Sequence, residues 1–280
     1  MGDRSELPGH YGAGSFLGRL KAALATAGLG DSRLEPSSLA PLDQFHARGL
    51  AATVELAEAI GIQPGESIID IGSGLGGPSR YLAANYDCRV IGVDLSPWFV
   101  EAASFLAERC GLDDRVGYRC GDALALPFED ARFDIAWTQH VAMNIADRDG
   151  FYAEAFRVLR PGGRFAIYDV VAREGQDVLF PVPWSRTSGT SFLLTAAEMR
   201  SVLARLGFQC HAWTDSSDAA LRWFGEQRIH RASSTPPALG LHLVMGPEFP
   251  VMVANFERNL GEGRIGLVQA ILSRPGRGAG

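Results

Sequence analysis

The chain has 280 residues, 46% of them hydrophobic, and 26 Lys and Arg against 32 Asp and Glu leave a formal charge of −6. That is enough apolar sequence for one large core, yet no run reaches the roughly eighteen residues of a bilayer-spanning helix. No basic cluster is dense enough to follow a phosphate backbone, which argues against a nucleic-acid partner. The opening Met-Gly-Asp-Arg-Ser-Glu lacks a signal peptide's charged-then-apolar layout, so a cytoplasmic location is expected. Cys88, Cys110, Cys120 and Cys210 are spaced for neither a zinc site nor a disulfide framework, and the six histidines form no H-x-x-x-H face. Buried, reduced thiols and no metal are the expectation.

Residues 1–48 combine a short helical pattern at 16–24 with a loop rich in Gly, Ser and Pro up to Pro41, and read as a cap or lid. Apolar spacing at Leu50, Val54, Leu56 and Ala59 predicts an amphipathic helix stopped by Gly61. Strands are then predicted at 67–71, 89–94, 116–120, 133–138 and 163–171, with helices at about 79–87, 97–111 and 147–159 between them. Repeated β-α units with apolar strands imply a doubly wound α/β sheet covered on both faces. The rhythm breaks at about 174–194, where Pro181-Val182-Pro183-Trp184-Ser185 reads as an insertion over the carboxyl edge of the sheet. Thr195 and Glu198 form a capping-box pair opening the next helix, which ends at Gly207. A sixth strand follows at 208–213, a mostly helical stretch with a Pro236-Pro237 break at 216–261, and a last strand at 266–273. Residues 49–280 are thus expected to form one domain with capping insertions, without internal repeats.

The densest chemical signal is Ile68-Ile69-Asp70-Ile71-Gly72-Ser73-Gly74-Leu75-Gly76-Gly77-Pro78, a strand running into a glycine turn that opens a helix. Such a turn lets a ligand approach the backbone and presents free N–H groups. Gly72, Gly74 and Gly77 also satisfy the dinucleotide pattern G-x-G-x-x-G, so a nicotinamide-dependent oxidoreductase is one reading. Asp70 at the end of the strand opposes it, because a carboxylate there repels a pyrophosphate while it can accept turn hydrogen bonds or balance a cationic centre. Pro78 suits the first helical turn and leaves Gly76 and Gly77 as the expected closest backbone approach. Asp94, 22 residues after Gly72, can bind a ribose hydroxyl pair, and Asp122 can accept from an exocyclic amine such as that of adenine.

Taken with Phe128-x-x-x-x-Phe133-Asp134 and Leu159-Arg160-Pro161-Gly162-Gly163, these residues resemble, in kind and order, the class I S-adenosylmethionine-dependent methyltransferases over roughly residues 45–215. The likeness is to the small-molecule branch that contains sarcosine and dimethylglycine N-methyltransferases, phosphoethanolamine N-methyltransferases and quinone and tocopherol C-methyltransferases. The resemblance implies a seven-stranded, mostly parallel sheet whose last strand is antiparallel. It implies S-adenosyl-L-methionine across strands one to four, held at Asp70, Gly72, Gly74, Gly76, Asp94 and Asp122, with Leu95 and Ala123 flanking adenine and Gln139 near the methionine moiety. Aligning an acceptor with the methyl group is then the enzyme's main work.

After strand four comes Thr138-Gln139-His140-Val141-Ala142-Met143-Asn144-Ile145. His140 is the leading base or orienting residue, and Asn144, four residues on, is expected on the same helix face. Where the phosphobase enzymes carry an aspartate and, four residues later, a histidine, this chain has His140 and Asn144, so their catalytic pair does not carry over. Phe45 and His46 in the cap, Tyr168 at the end of strand five and Trp184 in the insertion are expected to wall the acceptor, with aromatic faces that favour a cationic amine. Trp223-Phe224 reads as core. A small-molecule acceptor follows, amine nitrogen slightly ahead of oxygen or carbon, with a non-catalytic adenosyl-ligand sensor as another reading and the oligomeric state open.

Overall fold

The computed structural model describes residues 13–30, 32–233 and 239–276. Two helices, α1 (Ala13–Thr26) and α2 (Pro36–Asp43), precede α3 (Leu50–Ile60), whose end is set by Gly61 in the left-handed region at φ 66°. The alternation follows: β1 (Ser67–Ile71), α4 (Gly77–Asn85), β2 (Arg89–Asp94), α5 (Pro97–Cys110), β3 (Val116–Cys120), β4 (Phe133–Gln139), α6 (Arg148–Val158) and β5 (Leu159–Ala172). After the insertion come α7 (Ala196–Arg205), β6 (Gln209–Asp215), α8 (Ser217–Ser233), α9 (His242–Met245), α10 (Phe249–Gly261) and β7 (Ile265–Ser273). The predicted Pro236-Pro237 break lies outside the described residues.

The seven strands form one sheet in the order β3-β2-β1-β4-β5-β7-β6, parallel except for β7, which runs antiparallel to both neighbours. Strand alternation divides the core in two. Ile68, Val90, Ile135, Trp137 and Ala166 face the cap and helices α2–α5, while Ile69, Ile71, Ala136, Phe165 and Ile167 face α6 and α7. The Thr195–Glu198 capping box is present, and Phe224 is buried. β5 starts four residues before its predicted position because Leu159 pairs with Phe133, after which the register shifts around the Arg160-Pro161-Gly162-Gly163 turn. Cys88 and Cys110 are buried, but Cys120 and Cys210 are exposed, which corrects the expectation of four buried thiols. Both exposed thiols sit on edge strands, β3 and β6, where half the pairing and much of the cover is missing.

The cap is tied to the domain by a charge pair. Arg80 of α4 donates from Nη2 to Asp43 Oδ2 at 2.5 Å, and the two side chains are 0% and 1% exposed. Nη1 of the same guanidinium donates to the Leu75 carbonyl at 2.6 Å, inside the glycine turn. Burial pushes the Asp43 carboxyl up to about 6 against the pull of Arg80. Asp43→Ala leaves that guanidinium buried without a counter-charge, and urea unfolding should show a loss of about 3–5 kcal/mol; replacing both partners, Asp43→Leu with Arg80→Met, should cost less than half as much.

Candidate active site

Three of the four key glycines in the turn after β1 are there for protein packing. Gly72, at φ 81°, lies against the Val141 side chain; Gly76, at φ 76°, lies against the Tyr118 hydroxyl; Gly77 lies against the backbone and carboxylate of Asp43. A Cβ at any of the three would collide with that neighbour. On their Cβ sides Gly76 and Gly77 meet Tyr118 and Asp43, because α2 folds onto the start of α4. Gly74, at φ 51°, has only the Phe45 ring opposite, 3.7 Å from where a Cβ would sit, so Phe45 covers the turn as a roof.

Asp70 is 2% exposed and accepts from Ser79 Oγ at 2.5 Å, beneath the turn. Burial, reinforced by the nearby Asp94 charge, pushes its pKa up to about 7 despite the Ser79 hydrogen bond. Asp94 accepts from the Gly74 N–H at 2.8 Å and the Ser96 N–H at 2.9 Å, so the end of β2 is latched onto the turn. Asp122 accepts from the Leu124 N–H at 2.9 Å at the end of β3. Leu95 is 51% exposed and Ala123 half-buried, open on the carboxyl edge between these two carboxylates. Two acidic groups and a roofed glycine turn fit an adenosine with a sugar diol and an amino-bearing base. A pyrophosphate at the start of α4 would meet the Asp43 carboxylate, which lies against Gly77.

Gln139, the last residue of β4, is the register partner of Tyr168, which lies four residues before the end of β5. Next to them His140 takes a left-handed φ of 53°, and its N–H donates to the Tyr168 carbonyl at 2.8 Å. That turn aims the imidazole across the sheet edge, 4.9 Å from the Tyr168 ring, 5.9 Å from His46 and 6.1 Å from Phe256, centroid to centroid. Trp184 stands edge-on to Phe256 at 5.4 Å, and its Nε1–H donates to Ser191 Oγ. Cap, strand ends, insertion and α10 therefore converge on one aromatic cluster. Three polar atoms within it, Gln139 Nε2, His140 Nε2 and Tyr168 OH, are shut off from solvent and have no partner. Native interiors rarely leave such atoms unmatched, and the three together make this cluster the candidate ligand contact.

Burial sets the cluster's charge. It holds His140 well below the usual imidazole value and brings His46 down to about 4, while it raises the Tyr168 hydroxyl. All three are neutral near pH 7. His46 faces the site with its ring, because its Nε2 is engaged by Gln44 Oε1 at 3.0 Å and Thr53 Oγ1 at 3.2 Å. Asn144 is not part of the cluster. Residues Ala142–Asn144 form a single 3-10 turn rather than an α-helix, so four-residue spacing does not put Asn144 beside His140; its exposed side chain folds back on the Val141 carbonyl. Asp169 pins that turn through the Ala142 N–H at 3.1 Å, and Arg148, 3.9 Å from the carboxylate, also holds the Phe192 carbonyl of the insertion.

Sequence reasoning passed over Gln44, Thr53, Trp137 and Phe256. Trp137 and Gln139 were visible as a same-face i, i+2 pair on β4, and Phe256 as part of the apolar face of α10; Gln44 and Thr53 carried no comparable signal.

Residues 69–167 match the family described as "Methyltransferase domain". A sterol 24-C-methyltransferase of Eremothecium gossypii is 31% identical over 169 residues, 58% of this chain and 45% of that protein. The first curated relatives are matched over 28–49% of their own length, so this chain spans less than half of each. Among solved structures, a geranyl diphosphate methyltransferase in complex with SAM shares the fold at TM-score 0.64 and 23% identity, covering 80% of this chain and 84% of that one. The [4+2]-cyclase SpnF does so at TM-score 0.66 and 23% identity, covering 93% of each chain. The seven-stranded sheet with its antiparallel β7, the roofed glycine turn and these matches agree: the chain carries a methyltransferase domain, built on the fold of the S-adenosylmethionine-dependent methyltransferases.

Proposed function

We propose that the protein transfers a methyl group from S-adenosyl-L-methionine to a small, uncharged and largely apolar acceptor that carries one polar group. The observation behind this reading is the trio of unmatched buried polar atoms, Gln139 Nε2, His140 Nε2 and Tyr168 OH, ringed by His46, Phe256 and Trp184. When bound, the cofactor supplies an electrophilic methyl group on a sulfonium. Asp94 and Asp122 hold its sugar and base, Gly74 lets it approach the turn, and Phe45 closes over it. The aromatic walls exclude water and orient the acceptor. His140 Nε2, neutral and unpaired, accepts the proton that an O–H or N–H acceptor must lose.

Amine nitrogen, slightly ahead in the sequence reading, is supported by the aromatic rings, which attract cations. The neutral cluster supports an acceptor without formal charge instead: its own hydrogen bonds join neutral groups, and the nearby ions Arg48 and Glu55 are paired with each other. A second reading has the domain bind its cofactor while performing other chemistry, as the likeness to a structure titled a cyclase illustrates.

Asp94→Ala should weaken S-adenosylhomocysteine binding, read by calorimetry, by roughly 10- to 100-fold, the worth of hydrogen bonds to a charged group. With labelled cofactor and a panel of phenols, alcohols and amines, mass spectrometry should show a methylated product that His140→Ala and Tyr168→Phe reduce at least tenfold. Cofactor binding without any methylated product favours the second reading. The imidazole itself has a stability signature: a histidine held below its unfolded value contributes stability that is present above about pH 6.5 and lost as pH falls. The stability of wild type relative to His140→Gln should therefore fall between pH 7 and pH 5 in urea titrations.

A further inference from the structure

Gln139 is anchored at one end and unmatched at the other. Its Oε1 accepts from Trp137 Nε1 at 2.9 Å and lies 3.2 Å from Thr53 Oγ1, and its Nε2 has no partner. An indole nitrogen can only donate. Trp137 is 0% exposed and two residues away on the same strand, so it dictates which end of the amide is the oxygen. The unmatched end, on a residue paired in register with Tyr168, is an NH₂ group, a donor that cannot be turned into an acceptor without breaking the Trp137 bond.

That polarity discriminates between acceptor atoms. An attacking amine nitrogen has one lone pair and must give it to the methyl carbon, leaving nothing for an adjacent N–H donor. A hydroxyl oxygen has two, one for the new C–O bond and one for Gln139. We infer that Gln139, set by Trp137, selects an acceptor hydroxyl, alcoholic or phenolic, whose spare lone pair it binds, making the reaction an O-methylation. In that reaction the oxygen forms its bond to the methyl carbon, the carbon–sulfur pair returns to sulfur, and the hydroxyl proton passes to His140 Nε2. The positive charge moves from sulfonium to imidazolium, so the net charge of the site is unchanged. The inference rests on the proposed methyl transfer and goes further by naming the acceptor's chemistry.

Phenol and aniline, matched in shape, serve as probes. Nuclear magnetic resonance on the full chain saturated with S-adenosylhomocysteine reads the Gln139 side-chain NH₂ signals, with the Trp137 indole N–H beside them. Phenol should shift the Gln139 signals, and aniline, whose one lone pair must point at the sulfur in a reactive pose, should leave them in place. Trp137→Phe should then weaken phenol binding three- to tenfold while S-adenosylhomocysteine affinity stays within twofold. Thr53→Val, expected to act in the same direction, covers the case in which the tryptophan variant does not fold, and the wild-type comparison needs no variant. An equal or larger response to aniline overturns the inference, as does no response to phenol. So does a Gln139 shift produced by S-adenosylhomocysteine alone with no further change on adding phenol. Failure of S-adenosylhomocysteine to bind in calorimetry overturns the underlying methyltransferase reading instead.

Discussion

The site depends on the buried charge pair between Asp43 and Arg80. Arg80 holds the cap through Asp43 and the glycine turn through the Leu75 carbonyl, so one guanidinium fixes where the two meet. Everything downstream follows from that meeting. With α2 seated on the start of α4, the next few residues must run over the carboxyl edge of the sheet, which puts Phe45 over Gly74 and the His46 ring against His140 and Tyr168. The left-handed Arg48 and Gly49, at φ 67° and 50°, then turn the chain into α3. Such a pair is costly to desolvate, and its value lies in geometry as much as in energy.

Burial acts on the titratable groups of the site in a consistent direction, towards neutrality. It lifts Asp70 to about 7 and Asp169 to about 6, brings His46 to about 4 and holds His140 well below its ordinary value. A site of this kind disfavours any uncompensated ion and strengthens each hydrogen bond made inside it. A cationic cofactor centre would find Asp70 and Asp94 close to the turn, where its charge would pull both carboxylates back towards ionisation.

The fold is shared by proteins of different chemistry, as the likeness to both a geranyl diphosphate methyltransferase and a cyclase shows. In this chain the carboxyl edge carries the left-handed His140, the Trp137-anchored amide, and rings from the segment before α3, from the 174–194 stretch and from α10. Those elements are drawn from residues far apart in sequence, and they decide what can lie beside the cofactor.

The sequence by itself determined the sheet, its helices and the strand-end carboxylates, because apolar periodicity, glycine turns and capping residues are local signals that each segment carries alone. Gly72, Asp94, Thr195 and the antiparallel last strand were legible for that reason or through family likeness. Tertiary structure decided the rest. That Tyr118 and Asp43 pack against Gly76 and Gly77 depends on how α2 docks. That Asn144 points away from His140 depends on a 3-10 turn held by Asp169, a residue 25 positions downstream whose pinning role no local pattern reveals. The donor polarity of Gln139 depends on a contact with Trp137 and Thr53 inside the packed core, and hydrogen-bond direction is settled only when the partners are in place.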